Sequence, residues 1–219
     1  MAKLYFRYGA MNSGKSTALM QVAFNYEERG MTVYLIKPQI DTKGGKTLIS
    51  RIGVQREVDY MSLPEDNLYE MVEDLIQSQT IHCILVDEAQ FLHKHQVDEL
   101  MAVTVKLKIP VIAYGLRTDF STNGFPGAER LLLLAHSIEE MKTICTCGRK
   151  ATFNGRKVNG RFVFEGEQVV IENQAHIEYQ SLCPECYFRL KDEYEQAKEF
   201  TEDQNNPVCT KAKHILTGL

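Results

Sequence analysis

No stretch of this chain is apolar for long enough to cross a bilayer, and its opening "MAKLYFRYGA" has no apolar run of signal-peptide length. A membrane-embedded or exported chain is therefore not expected, and the reading is cytoplasmic. Blocks of Lys and Arg are absent as well, and the formal net charge is −4. That balance gives no general pull toward nucleic acid or an anionic membrane surface. Internal repeats and low-complexity tracts are missing, which leaves an ordinary globular organisation. The six cysteines are few and unevenly placed. In a reducing compartment they suit metal ligation or plain burial better than a disulfide framework.

What is present fits one sizeable core with a small appendage: 219 residues, 44% hydrophobic and 25% charged. "KLYFRYGA" reads as a buried strand, "STALMQVAFNYEERG" as a helix closed by Gly30, and "TVYLIKP" as a second strand ended by Pro38. Leu68, Met71, Val72 and Leu75 recur at helical spacing. "IHCILVDEAQF", "HKHQVDELMAVTVKLK" and "IPVIAYGLR" then read as strand, helix and strand. This alternation predicts an α/β fold, a mostly parallel sheet with helices on both faces. Near residue 144 it gives way to cysteine-flanked, β-like text. The division expected is 1–143 for the nucleotide-binding unit, 144–192 for a small unit with a covering loop, and 193–219 for a polar tail.

"GAMNSGKS" spans Gly9, Ala10, Met11, Asn12, Ser13, Gly14, Lys15 and Ser16, the pattern G-x-x-x-x-G-K-[ST] between a strand and a helix. The glycines let backbone N–H groups wrap around phosphate oxygens, and the following helix aims its positive end at the same anion. Lys15 reaches the β- and γ-phosphates as a point charge; Ser16 offers its hydroxyl to Mg²⁺. Downstream, "ILVDEAQF" puts Asp87, Glu88, Ala89 and Gln90 at the end of an apolar strand. An aspartate there helps hold Mg²⁺ in phosphate-loop proteins, and Glu88 can orient and deprotonate the attacking group. By itself this leaves the acceptor open: water or a sugar hydroxyl serves equally well.

Cys145 and Cys147 form one close pair, Cys183 and Cys186 another. Four thiolates suit a tetrahedral, structural Zn²⁺ with no open position, although four reduced, buried thiols are the plainer alternative. A clamp at both ends would make residues 148–182 a stapled excursion able to cover a ligand. Cys83 reads as a core residue and Cys209 as incidental.

In this order the motifs resemble the type II thymidine kinases, zinc-containing cytosolic P-loop nucleoside kinases, over residues 1 to about 190. "GAMNSGKS", "DEAQFL", "YGLRTDF", "TICTCGRKA" and "CPECY" carry the likeness. It implies transfer of the ATP γ-phosphate to the 5′-hydroxyl of thymidine, with Glu88 as general base. It further implies a base pocket of Phe91, Leu116, Phe120 and Phe125, a loop through Val169, Val170 and Ile171, and closure by Tyr179. Asp41 and Lys43 resemble a segment near the phosphates, and Arg51 lies in the further block "SRIG". A homotetramer and feedback inhibition by thymidine triphosphate (dTTP) are also implied, with no direct nucleic-acid or membrane partner. Lys43 stands where many relatives carry arginine, and "VVIENQAHIEY" lacks a glycine pair common in that loop. Two competing readings are a small nucleic-acid-dependent ATPase, suggested by "DEAQ", and a non-catalytic nucleotide switch.

Overall fold

The computed structural model describes residues 1–39, 45–50, 52–168 and 176–205, with side chains through 200. Its chain order begins with strand β1 (Leu4–Tyr8), helix α1 (Lys15–Glu27) and strand β2 (Val33–Pro38). Three short strands follow, β3 (Thr47–Ile49), β4 (Gln55–Glu57) and β5 (Tyr60–Ser62), then α2 (Leu68–Ser78) and β6 (Cys83–Val86). Next come α3 (Lys94–Ala102), prolonged by a π turn over Val103–Leu107, β7 (Val111–Gly115), α4 (Pro126–Leu134) and β8 (Ser137–Glu140).

The main sheet runs β5-β2-β6-β7-β1-β8, and every pairing in it is parallel. β6 lies inside it with all four residues buried, as a strand covered on both faces requires. Its side chains alternate. Ile84 and Val86 join Leu4, Phe6, Val111 and Ala113 against α2, α3 and α4. Cys83 and Leu85 join Leu35, Ile112 and Tyr114 against Leu19, Met20 and Ala23 of α1. The expected α/β sheet flanked by helices is therefore present, with Cys83 in its core.

The second unit begins with a small hairpin, β9 (Thr143–Ile144) and β10 (Lys150–Ala151). Then come β11 (Phe153–Val158), β12 (Arg161–Val163) and β13 (Ile177–Leu182), a three-stranded antiparallel sheet in the order β12-β11-β13. Asn159 and Gly160, at φ 51° and 81°, make the tight turn between β11 and β12. Within β11, Gly155 occupies a space that no side chain could share: a Cβ would sit 2.7 Å from both Leu182 and Phe162. Cys145, Ala151, Phe164, Leu182, Cys183 and Tyr187 form this unit's own core.

Helix α5 (Pro184–Asn205) closes the described chain. It runs through position 193, where the sequence reading starts the tail. It exposes Phe188 and Phe200 among charged side chains, and Arg189–Glu193 at 2.6 Å and Lys191–Glu195 at 3.7 Å brace successive turns. Among the described residues, no helix is long and apolar enough to cross a membrane.

Candidate functional site

The phosphate-loop segment lies between the end of β1 and the start of α1. Gly9 is needed for space: a Cβ would lie 2.5 Å from both the Met141 carbonyl and Ser13 Oγ. Gly14 is needed for conformation, since it caps α1 at φ 78°, in the left-handed region that glycine enters freely. Lys15 Nζ folds across the loop and donates to the carbonyls of Gly9 at 3.2 Å and Ala10 at 3.0 Å.

Asp87 leaves the carboxyl end of β6 and is 2% exposed. Burial, reinforced by the neighbouring Glu88 charge, pushes its carboxyl from 3.8 up to about 7. Lys37 and Lys15 pull the other way, so the lysine of the phosphate loop acts electrostatically on this acid. Glu88 stands at φ 50°, ψ 38°, left-handed for a residue with a Cβ, at the head of a 3-10 turn over Ala89–Phe91. Such a conformation costs about 1–3 kcal/mol and persists where the surroundings impose it. Gln90 supplies part of that frame: Nε2 donates to Glu88 Oε2 at 2.6 Å, while Oε1 accepts from the Leu116 N–H at 3.0 Å. Ala89 and Gln90 are both fully buried.

One cavity of about 530 Å³ connects these elements. Met11, Asn12, Gly14, Lys15 and Ser16 form its phosphate-loop end, and Glu88 stands in its wall. Phe91, Leu116, Phe120, Phe125 and Tyr179 line the remainder. Phe91 and Phe125 meet edge to face at 5.3 Å. The Arg156 guanidinium lies 3.5 Å from the Phe120 ring centroid, a cation–π contact. Gly9, Ala10 and Asp87 are buried and are not among the lining residues.

Asp119, Asn154 and Gln168 are polar lining residues that a reading of the sequence alone misses. Asp119 Oδ1 accepts from the N–H groups of Ser121 and Asn123, and Gln168 Nε2 donates to Asp119 Oδ2 at 3.1 Å. Asp119 was within reach, as it sits inside the block "YGLRTDF". Asn154 and Gln168 carry no local signal, because only the folding of the second unit against the first brings them to the cavity. Thr17, Ile49, Ser50, Ile52 and Gln90 complete the lining. Asp41, Lys43, Arg51, Val169, Val170 and Ile171 lie outside the described residues.

The sulfurs of Cys145, Cys147, Cys183 and Cys186 all lie within 4.8 Å of one another. A tetrahedral Zn–S distance of about 2.3 Å implies sulfurs roughly 3.8 Å apart, and Cys147 and Cys183 are at 3.5 Å. Burial raises the Cys145 thiol, but hydrogen bonds led by the Cys147 and Cys183 backbones outweigh it, bringing the thiol to about 6. The cluster is compatible with a zinc site. Cys209 is outside the described residues.

Comparison with known proteins identifies relatives over most of the chain. The thymidine kinase family model matches residues 2–187. A thymidine kinase of Legionella pneumophila (strain Lens) is 52% identical over 174 residues, 78% of this chain and 83% of that protein. The Legionella pneumophila Philadelphia 1 thymidine kinase is 47% identical over 210 residues, 94% of this chain and 99% of its own. One from Rhodopirellula baltica is 48% identical over 185 residues, covering 84% of this chain and 86% of that protein. On this match and the site that accompanies it, the chain belongs to the thymidine kinase family.

Proposed function

We propose that this protein transfers the γ-phosphate of ATP to the 5′-hydroxyl of thymidine, giving thymidine monophosphate and ADP for DNA synthesis by salvage. The observation that carries this reading is the shared cavity: phosphate loop, Glu88 and aromatic walls open into one space. Its volume of about 530 Å³ suits small-molecule ligands. Phosphoryl transfer needs positioning and charge stabilisation more than a strong base. The phosphate loop would hold the triphosphate, with Lys15 turning from its own loop's carbonyls toward the β- and γ-phosphates. The Ser16 hydroxyl and the Asp87 carboxylate would hold the Mg²⁺ that accompanies ATP, which neutralises phosphate charge when bound. Glu88 accepts the proton of the attacking 5′-hydroxyl, held in direction by Gln90. Phe91, Phe120, Phe125 and Tyr179 offer ring faces and edges to a flat pyrimidine, with Val169, Val170 and Ile171 assigned to the loop over it.

A structural Zn²⁺ on the four cysteines, a cytoplasmic location, homotetrameric assembly and feedback by dTTP belong to the same reading. So do phosphate-side roles for Asp41 and Lys43. A nucleic-acid-dependent ATPase is not favoured.

Purified protein with ATP, Mg²⁺ and a panel of nucleosides tests the assignment. Formation of a 5′-monophosphate from thymidine is expected, and Glu88→Gln should lower kcat about 100-fold or more with ATP binding retained. ATP turnover indifferent to nucleosides but raised by DNA would overturn it.

A further inference from the structure

Both backbone groups of Met11, inside the phosphate loop, are held by side chains of the second unit. The Met11 N–H donates to Asn154 Oδ1 at 2.8 Å, and the Met11 carbonyl accepts from the Ser181 hydroxyl. Asn154 of β11 and Ser181 of β13 are directly opposed in the antiparallel register. Opposed residues project from one face of a sheet, so a single cross-strand pair reads both polar groups of one residue. The two are 3% and 4% exposed. The Thr143 hydroxyl adds a bond to the Asn12 carbonyl at 3.3 Å.

Asn154 has a second attachment. Its Nδ2 donates to the Thr118 carbonyl at 3.0 Å, in the segment that carries Asp119 and Phe120 to the cavity. One buried amide thus touches the backbone on the phosphate side and on the aromatic side. A seam needed only for cohesion is made more cheaply by apolar contact, because a buried amide costs free energy unless its groups are paired. The bonds fall where the backbone must keep one conformation to point its N–H groups at an anion. A loop already fixed in that conformation binds without first losing conformational freedom.

We propose that Asn154 and Ser181 are positioning residues that set the phosphate loop for ATP. Asn154 also ties that setting to the nucleoside wall, so that the affinities for donor and acceptor are coupled. This rests on the kinase reading above.

The test uses full-length, zinc-replete protein, with zinc content and melting temperature checked for each variant. Ser181→Ala removes one oxygen and should raise KM for ATP about 3- to 10-fold, the range of one neutral hydrogen bond, leaving KM for thymidine within twofold. Asn154→Ala should raise both. Thymidine affinity, measured with and without a non-hydrolysable ATP analogue, should differ in the wild type and converge in Asn154→Ala. A Ser181→Ala enzyme with unchanged KM for ATP, or undiminished coupling in Asn154→Ala, would overturn the clamp. Should Asn154→Ala fail to fold, Asn154→Asp, which keeps an acceptor for the Met11 N–H and loses the donor to the Thr118 carbonyl, takes its place in the coupling measurement. Wild-type protein that makes no thymidine monophosphate would instead sink the kinase reading; the ATP affinity of Ser181→Ala would still judge the phosphate-loop half.

Discussion

Replacing Gln90 with methionine keeps the length and volume of the side chain and removes its amide. Two hydrogen bonds disappear, the 2.6 Å bond to Glu88 and the 3.0 Å bond from the Leu116 N–H. The first is charge-assisted and is worth about 1.5–3 kcal/mol. If that energy serves to aim the Glu88 carboxylate at the attacking hydroxyl, its loss falls on the barrier. At 1.36 kcal/mol per factor of ten, kcat should drop roughly 10- to 150-fold. The second loss leaves a backbone donor without its partner, costing about 1–3 kcal/mol. For a chain of this size that lowers the melting temperature by roughly 2–12 °C. Gln90 borders the cavity but has both amide atoms engaged by protein groups, and methionine matches its volume, so KM for ATP and for thymidine should stay within twofold. Steady-state kinetics on both substrates, with a thermal melt, reads all of these quantities. An unchanged kcat would refute the role given to the amide. An intact kcat with a raised KM for ATP would make Gln90 a nucleotide contact instead.

Gly127→Ala should be destabilising, because the new Cβ would lie 2.6 Å from the Ala89 and Leu92 carbonyls and 2.9 Å from that of Gln90. Overpacking against backbone costs about 1–3 kcal/mol, and a melting temperature within 1 °C of wild type would contradict it. For Asp87, the folded pKa of about 7 lies above its ordinary 3.8, so the metal-free fold favours the neutral acid. Its stabilising contribution is greatest below the ordinary value and is lost as pH climbs from about 4 toward 7. Binding Mg²⁺ requires the carboxylate; the melting shift caused by Mg·ATP should therefore be larger at pH 8 than at pH 6, and Asp87→Asn should flatten the difference. Metal analysis should return about one zinc per chain, and chelation should lower both melting temperature and activity. A metal-free preparation that stayed stable and active would contradict the zinc reading.

The elements legible in the sequence are those whose signal is local. The buried run Cys83–Val86 and the strand β1 announce themselves by apolar content, and the turn into α1 by its two glycines. The strands β3, β4 and β5 are three residues each, too short for any alternation to register. β8, "SIEE", is a polar edge strand whose residues are mostly exposed, and it joins the sheet only because β1 offers a parallel partner. The left-handed turn at Glu88 was also invisible, since nothing about the residue favours that conformation. At the site, phosphate-loop and acidic-strand residues were readable because their spacing is set by one turn of chain. Asn154 lies 143 positions from Met11, and such a contact belongs to tertiary structure alone.

The backbone at residue 88 has a consequence for how this protein can change. Glycine would adopt φ 50° there with little penalty, so Glu88→Gly relieves a backbone cost of about 1–3 kcal/mol, but it also strips the buried Gln90 amide of a bond worth about 1.5–3 kcal/mol. The same exchange deletes the carboxylate that serves the attacking hydroxyl. The carboxylate thus helps hold its own backbone in the costly conformation, and an exchange that removes both gains little stability while losing the group that serves the reaction.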